Sequence, residues 1–334
     1  MKGRVAVVGA GIGGLSAAAL LAKAGHEVTV FEQAAQAGGK AASLQLGEWR
    51  FDTGPSLFTL PQVFRGFFER LGLEMEDQIQ TVPEFRFGVR ADRIVAEKGR
   101  CRGVEAGGEF HAAEIVVSNA DVLSTYRTLL REPAAREARR FECQEPSSSG
   151  LVLLWGMARR FDRMQVHNIF FSADYAAEFE AIFGRLDMPA DPTVYVNITS
   201  KITPSDAPAG GENWFILLNA PRHAGQDWAA LAARAREAVR ARVGRALGED
   251  VAPWIREERM LAPPDIERDT GSTHGSLYGT ASHSPVSAFL RHPNRSRRIR
   301  GLYLAGGSVH PGGGMPLALL SGMQAADLVE AHET

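Results

Sequence analysis

The sequence predicts an α/β fold: a parallel nucleotide-binding sheet with helices packed on it, joined to a second unit built on a mixed or antiparallel sheet. Three observations predict it. Gly9-Ala10-Gly11-Ile12-Gly13-Gly14 separates a β-branched run from an Ala- and Leu-rich helical stretch. A glycine-rich loop from Gly306 to Gly314 again lies between a strand pattern and a helix, at the other end of the chain. The middle holds separated strand candidates with Pro and Gly turns between them, rather than further βαβ units. At 334 residues the chain has room for two such units.

Taken in order, Arg4 to Val8 reads as a buried parallel strand, Gly13 to Ala24 as a helix stopped by Gly25, and Glu27 to Glu32 as a second strand. A Gly- and Ala-rich stretch containing Gly38-Gly39-Lys40 follows, then the turn-forming cluster Phe51-Asp52-Thr53-Gly54-Pro55. Pro61 to Leu73 is an amphipathic helix whose apolar face, with Phe64, Phe67 and Phe68, is assigned to core packing rather than to a lipid surface. Arg93 to Ala96, Gly103 to Glu105 and Glu114 to Ser118 form a β-meander that returns to the first sheet. Gly150 to Met157, Asn168 to Ser172, Thr193 to Thr199 and Trp214 to Asn219 are the strands of the second sheet. The helix from Asp227 to Leu247 presents Trp228, Leu231, Ala235, Val239 and Val243 to that sheet. Leu302 to Ala305 is a strand and Pro316 to Glu330 a helix.

Composition excludes several classes. The apolar fraction of 45% and charged fraction of 23% are ordinary for a globular protein, and a net charge of -2 gives no nucleic-acid footprint. The arginines at 295, 297, 298 and 300 read as a solvated loop. Cys101 and Cys143 give neither a disulfide framework nor metal-ligand spacing. Met1-Lys2-Gly3-Arg4 leads directly into a strand and does not resemble a signal peptide, and no apolar run reaches bilayer length. A cytoplasmic protein, at most peripheral to a membrane, is expected.

The glycines at 9, 11 and 14 allow a tight turn, a close approach of backbone to a pyrophosphate, and close packing of helix on strand. The helix that follows aims free N–H groups and its positive end at the phosphates. Glu32, about 20 residues on, sits where a carboxylate accepts hydrogen bonds from ribose hydroxyls. That acid disfavours NADP without separating FAD from NAD; the second glycine turn, Gly38-Gly39-Lys40, is a flavoprotein feature and selects FAD. In the C-terminal loop, glycines let backbone pass close to a flavin ring, and a helix opening with Pro316 points N–H groups at the negative charge of the reduced ring.

Together these segments resemble the carotenoid desaturases of the phytoene-desaturase type, within the wider flavin amine oxidase superfamily. The resemblance rests on Gly9 to Gly14, Glu32, Gly38-Gly39-Lys40, Phe51 to Pro55, Val116-Val117-Ser118-Asn119-Ala120-Asp121, Pro293-Asn294-Arg295-Ser296 and Leu302 to Pro316, with a looser match at His167 to Phe171. It implies an FAD-dependent oxidoreductase that takes a hydride from a hydrophobic, carotenoid-like substrate onto flavin N5. The implied cofactor-binding set is Gly9, Ala10, Gly11, Ile12, Gly13, Gly14, Glu32, Gln33, Gly39, Lys40, Gly54, Pro55, Gly306, Gly307, Gly314, Met315 and Pro316. No catalytic acid or base is assigned, and no metal is expected. His310 is equally a turn residue or a polar group near the ring; His167 and Asn168 read as strand-edge residues before channel residues, and Asp121 as a helix cap.

The expected FAD-binding domain comprises residues 1–60, 88–125 and 255–334, and the expected substrate domain residues 61–87 and 126–254. The family usually carries a long helical segment, including part of a membrane-facing substrate cap, where only Glu74 to Arg90 stands here. The simplest account is an internal deletion, leaving open a non-catalytic flavin-binding remnant or a small flavin amine oxidase.

Overall fold

Strands β1 (Arg4–Val8), β2 (Glu27–Glu32), β5 (Glu84–Phe87), β9 (Ile115–Ser118) and β15 (Leu302–Leu304) form a parallel sheet in the order β15-β9-β1-β2-β5. The computed structural model describes residues 2–54, 57–75, 83–132, 136–281 and 291–333. Because both faces of this sheet are covered, its strands read as continuous apolar runs. Val5 and Val7 pack against helices α1 (Ile12–Lys23), α2 (Pro61–Leu71) and α8 (Met315–Glu333). Ala6 and Val8 face the opposite way, onto a three-stranded antiparallel sheet of β6 (Ala91–Glu97), β7 (Arg100–Ala106) and β8 (Glu109–Ala112). The expected meander is only partly present: residues 93–96 and 103–105 lie in this second cover, but its third strand is β8, which sequence reading misses, while the third expected segment, 114–118, is β9 of the parallel sheet itself.

The second sheet is wholly antiparallel, in the order β11-β12-β13-β10-β14. Its strands are β10 (Ser149–Met157), β11 (His167–Phe170), β12 (Val194–Asn197), β13 (Glu212–Ala220) and β14 (Ile255–Leu261). Alternation divides its residues: Leu151, Leu153, Trp155, Trp214 and Ile216 face helix α6 (Trp228–Leu247), whose Trp228, Leu231, Ala235, Val239 and Val243 are all buried as the sequence predicts. Asp227 caps α6 by accepting from Ala230 N, and Gly248 ends it in the left-handed region. Val152, Leu154 and Phe215 face the other way, against Trp49 and Phe51.

Trp49 and Phe51 belong to a hairpin, β3 (Ser43–Leu46) and β4 (Trp49–Asp52), that sequence reading misses. Phe51 and Asp52, assigned to a turn, are strand residues; the turn begins at Thr53. The short helices α3 (Val122–Ser124), α4 (Arg136–Glu142), α5 (Tyr175–Phe179) and α7 (Pro263–Thr270) complete the elements used below.

Five elements lie across the expected division of the chain. The hairpin at 43–52 covers the second sheet, and β14 extends that sheet by pairing with β10, although both were assigned to the nucleotide unit. Conversely, α2 packs into the core beside α1 and α8, and β5 extends the first sheet beside β2. The reason is visible in composition: β14 is Ile-Arg-Glu-Glu-Arg-Met-Leu, an edge strand whose half-exposed faces carry charge and no apolar alternation. Part of the shortened connection, residues 76–82, lies outside the described residues, as does Pro55.

Candidate dinucleotide site

The first sheet reverses direction of travel at β1, with β2 on one side and β9 on the other. Ligands of open parallel sheets bind outside the carboxyl ends of strands at such a point. Here the β1–α1 turn carries Gly9 at φ 92° and Gly11 as the helix N-cap. A Cβ on Gly14 would lie 2.1 Å from Gly9 O, so only glycine permits this turn. Glu32 ends β2 with its carboxylate drawn into the turn, accepting from Ala10 N at 2.7 Å and Ala34 N at 2.8 Å. It is buried and shapes the turn itself, and each carboxylate oxygen has capacity for a further hydrogen bond.

The second glycine turn is locked to the first. Gly38 N donates to Ala10 O at 2.9 Å, and a Cβ on Gly39 would stand 3.2 Å from Gly11 Cα. Gly54 packs on the same turn, where a Cβ would be 2.4 Å from Lys40 O. Lys40 points away from the glycines. Its ammonium donates to Ser272 Oγ at 3.0 Å, Ser276 O at 3.0 Å and Leu277 O at 3.1 Å. Burial lowers its pKa to about 8 against the opposing pull of Asp121. Gln33 likewise leaves the turn, donating to Asp269 O at the end of α7. Both residues tie the nucleotide turns to the 269–277 segment.

The C-terminal loop arrives beside the N-terminal one. A Cβ on Gly13 would meet Asn119 Oδ1 at 2.7 Å, Gly306 N at 2.8 Å and Ala318 O at 3.0 Å. Helices α1 and α8 reach this proximity because small residues line their contact: Ser16 Oγ donates to Leu319 O, and a Cβ on Gly322 would be 2.0 Å from Gly13 O. The two helix N-termini, at Ile12 and at Met315-Pro316, thus lie together at one end of the sheet. Gly314, at φ 100°, faces open space: a Cβ there would meet no atom within 4 Å. Gly313 abuts Tyr278, which is half exposed.

Two buried residues pin this loop; neither is in the implied cofactor-binding set, although Asn294 lies in the desaturase-like stretch Pro293 to Ser296. Asn294 Nδ2 reaches Leu304 O, His310 O and Ser321 Oγ. Arg291 donates to Gly307 O at 3.0 Å and to Tyr278 O at 2.9 Å. The reading of residues 291–300 as a solvated loop holds only in part: Arg297, Arg298 and Arg300 are exposed, but Arg295 is half-buried and Arg291, Asn294 and Ser296 are buried. The signal available for Asn294 was its place in a Pro-Asn turn just before a buried strand.

The other candidates stay local. Asp121 caps α3 through Leu123 N, and its carboxylate also accepts from Thr273 Oγ1 at 2.6 Å. Asn168 bonds backbone of Gln165 and Val196, and His167 bonds Tyr195 at 2.8 Å, on the edge strand β11. His310 is exposed. Cys101 is buried, which raises its pKa to about 12. Among the described residues no group of His, Cys, Asp and Glu is placed to hold a metal ion.

Comparisons agree with this architecture. Residues 7–71 match the NAD(P)-binding Rossmann-like domain family. The chain is 44% identical over 266 residues to 1-hydroxycarotenoid 3,4-desaturase of Flavobacterium sp. (strain P99-3), covering 79% of this chain and 54% of that protein. It is 35% identical over 255 residues to 4,4'-diapolycopene oxygenase of Methylomonas sp, covering 74% and 50%. Among solved structures, an oxidoreductase from Methanosarcina mazei superposes with a TM-score of 0.65 at 14% identity, over 97% of this chain and 100% of that one. A putative protoporphyrinogen oxidase from Exiguobacterium sp. 255-15 gives 0.61 at 12%, over 99% of each. At such identities these two show a shared fold. By its sequence relatives, the chain is a carotenoid-desaturase-like protein that spans about half the length of the curated relatives it matches.

Proposed function

We propose that the chain binds FAD and is an oxidoreductase acting on an apolar, carotenoid-like substrate. The observation that carries the cofactor reading is the convergence of two glycine loops and two helix N-termini, from opposite ends of the sequence, around Gly13 and Gly306. The fit is steric as well as electrostatic: Gly11, Gly13, Gly14 and Gly306 all stand where a Cβ would collide with protein. Gly314 instead leaves its side open. The first turns of α1 and α8 would hold a dinucleotide here, their free N–H groups and positive ends favouring its negative groups. FAD, when bound, supplies the two-electron acceptor for the reaction.

In this reading Gly9 to Gly14, Gly39, Gly54, Gly306, Gly307, Gly314, Met315 and Pro316 form the contact surface, and Glu32 serves the ribose. Lys40 and Gln33 act one step removed, holding the 269–277 segment against the second glycine turn. The carotenoid-like substrate is supported by the two named relatives, and by exposed Leu57, Phe58 and Leu60 in the chain just beyond Gly54. No described helix is long and apolar enough to cross a membrane, so contact with a bilayer would be peripheral. Flotation with liposomes tests that contact.

Adding FAD to the purified chain should give a protein-bound flavin absorption band. A chain that stays colourless after gel filtration rejects the reading. A non-catalytic flavin-binding role is the second reading, favoured by the short connection after Glu74 where the resembled family carries a long helical segment. Turnover of a carotenoid with a quinone acceptor decides against it.

A further inference from the structure

Cations and anions around the crevice are already committed to protein partners. Lys40 donates to one hydroxyl and two carbonyls of the 272–277 segment. Arg291 donates to the carbonyls of Tyr278, Thr280 and Gly307. Glu32 holds Ala10 N and Ala34 N, and Asp121 holds Leu123 N and Thr273 Oγ1. Among the described residues, these side chains are turned to protein partners, and neutral groups are the candidate direct donors to an anionic diphosphate. Backbone N–H groups of the glycine turns are one set.

Asn119 provides another. It directly follows β9, with its own N–H bonded to Val8 O at 2.8 Å, and so stands at the strand end beside β1 where the sheet reverses. Its carboxamide is inserted among the glycines of both loops. A Cβ would come within 2.7 Å of its Nδ2 from Gly11, 2.7 Å of its Oδ1 from Gly13, and 2.8 Å of its Oδ1 from Gly306. One Nδ2 hydrogen has a long bond, 3.4 Å, to Gly9 O; the amide carries a second. The residue is half buried, so this centre of the glycine cluster reaches the accessible crevice.

We propose that Asn119 is a diphosphate-binding residue, donating a carboxamide N–H where the two glycine loops meet. The inference rests on the FAD reading above. It makes residue 119 a neutral donor, so that a carboxylate at that position repels the ligand.

The test measures FAD affinity by flavin fluorescence quenching, at about 50 mM and about 500 mM NaCl, for wild type, Asn119→Asp and Asn119→Leu. Melting temperatures without FAD are recorded alongside. Asn119→Leu removes both donors at similar size and should weaken binding about tenfold. Asn119→Asp should weaken it further, and its extra deficit should shrink at high salt because screening relieves repulsion but restores no donor. A wild-type affinity in Asn119→Leu overturns the proposal, even if Asn119→Asp does not fold. Equal, salt-independent losses in both variants together with lowered melting temperatures also overturn it, since they mark a packing role. A wild-type chain that binds no FAD removes the cofactor reading itself, an outcome distinct from variants that match a binding wild type.

Discussion

Glycines here act through what they exclude. Gly14 is the clearest: its missing Cβ would sit 2.1 Å from Gly9 O, inside any contact radius. Gly14→Ala should destabilise the chain by about 1–3 kcal/mol, the usual range for forced overpacking, and abolish measurable FAD binding. Thermal melts and a flavin titration check both parts. Lys40 acts by charge. Burial holds its folded pKa near 8, below the 10.5 of the free side chain, so the unfolded chain binds the proton more tightly. Between those values the unfolded state carries more protons, and stability due to Lys40 rises with pH. The penalty is fully present below about 8 and is relieved as pH approaches 10.5. Stability measured against Lys40→Met across that window should show wild type gaining on the variant; a flat difference refutes the assignment. Residue types and spacing made the glycines legible in sequence. The direction of Lys40, away from the glycine turns and into a loop about 230 residues on, was not legible.

Between elements, the site depends on how closely α1 and α8 approach. Gly13, Ser16 and Gly322 make that contact, and it sets the two helix N-termini side by side. Gly322→Leu introduces a side chain where even a Cβ meets Gly13 O and Ser16 Oγ at 2.0 Å. It should push the helices apart, lower the melting temperature and weaken FAD binding together, although residue 322 faces another helix and not the crevice. Loss of stability with unchanged affinity would show that helix spacing does not control the site. Sequence periodicity found both helices and the strands of the nucleotide sheet except β5. It missed β5, β8, β14 and the 43–52 hairpin, because edge strands and short hairpins carry little apolar alternation for local reading to detect.

At the scale of the whole molecule, the hairpin joins the two units. It follows the second glycine turn in the chain, yet Trp49 and Phe51 pack on the second sheet against Val152, Leu154 and Phe215. Trp49 lies flat over Gly156, where a Cβ would be 2.6 Å from its ring, and only 7% of its surface is exposed. Trp49→Ala should cost about 3–5 kcal/mol in chemical denaturation, as for other large-to-small changes in a core. If the hairpin couples the units, the unfolding transition should also split in two. A single transition at wild-type stability would refute that coupling.

By itself the sequence determined the nucleotide turn, the strand–turn–helix contexts at both ends and that the second sheet is not a further βαβ series, since these depend on local glycine, β-branched and helical patterns. Only the tertiary structure decided which strands share a sheet, that Gly13 and Gly306 touch, and that Glu32 and Lys40 bind protein groups as well as shaping a site. Those outcomes depend on contacts between residues far apart in the chain, where local preference has no say and packing of small side chains sets the distance.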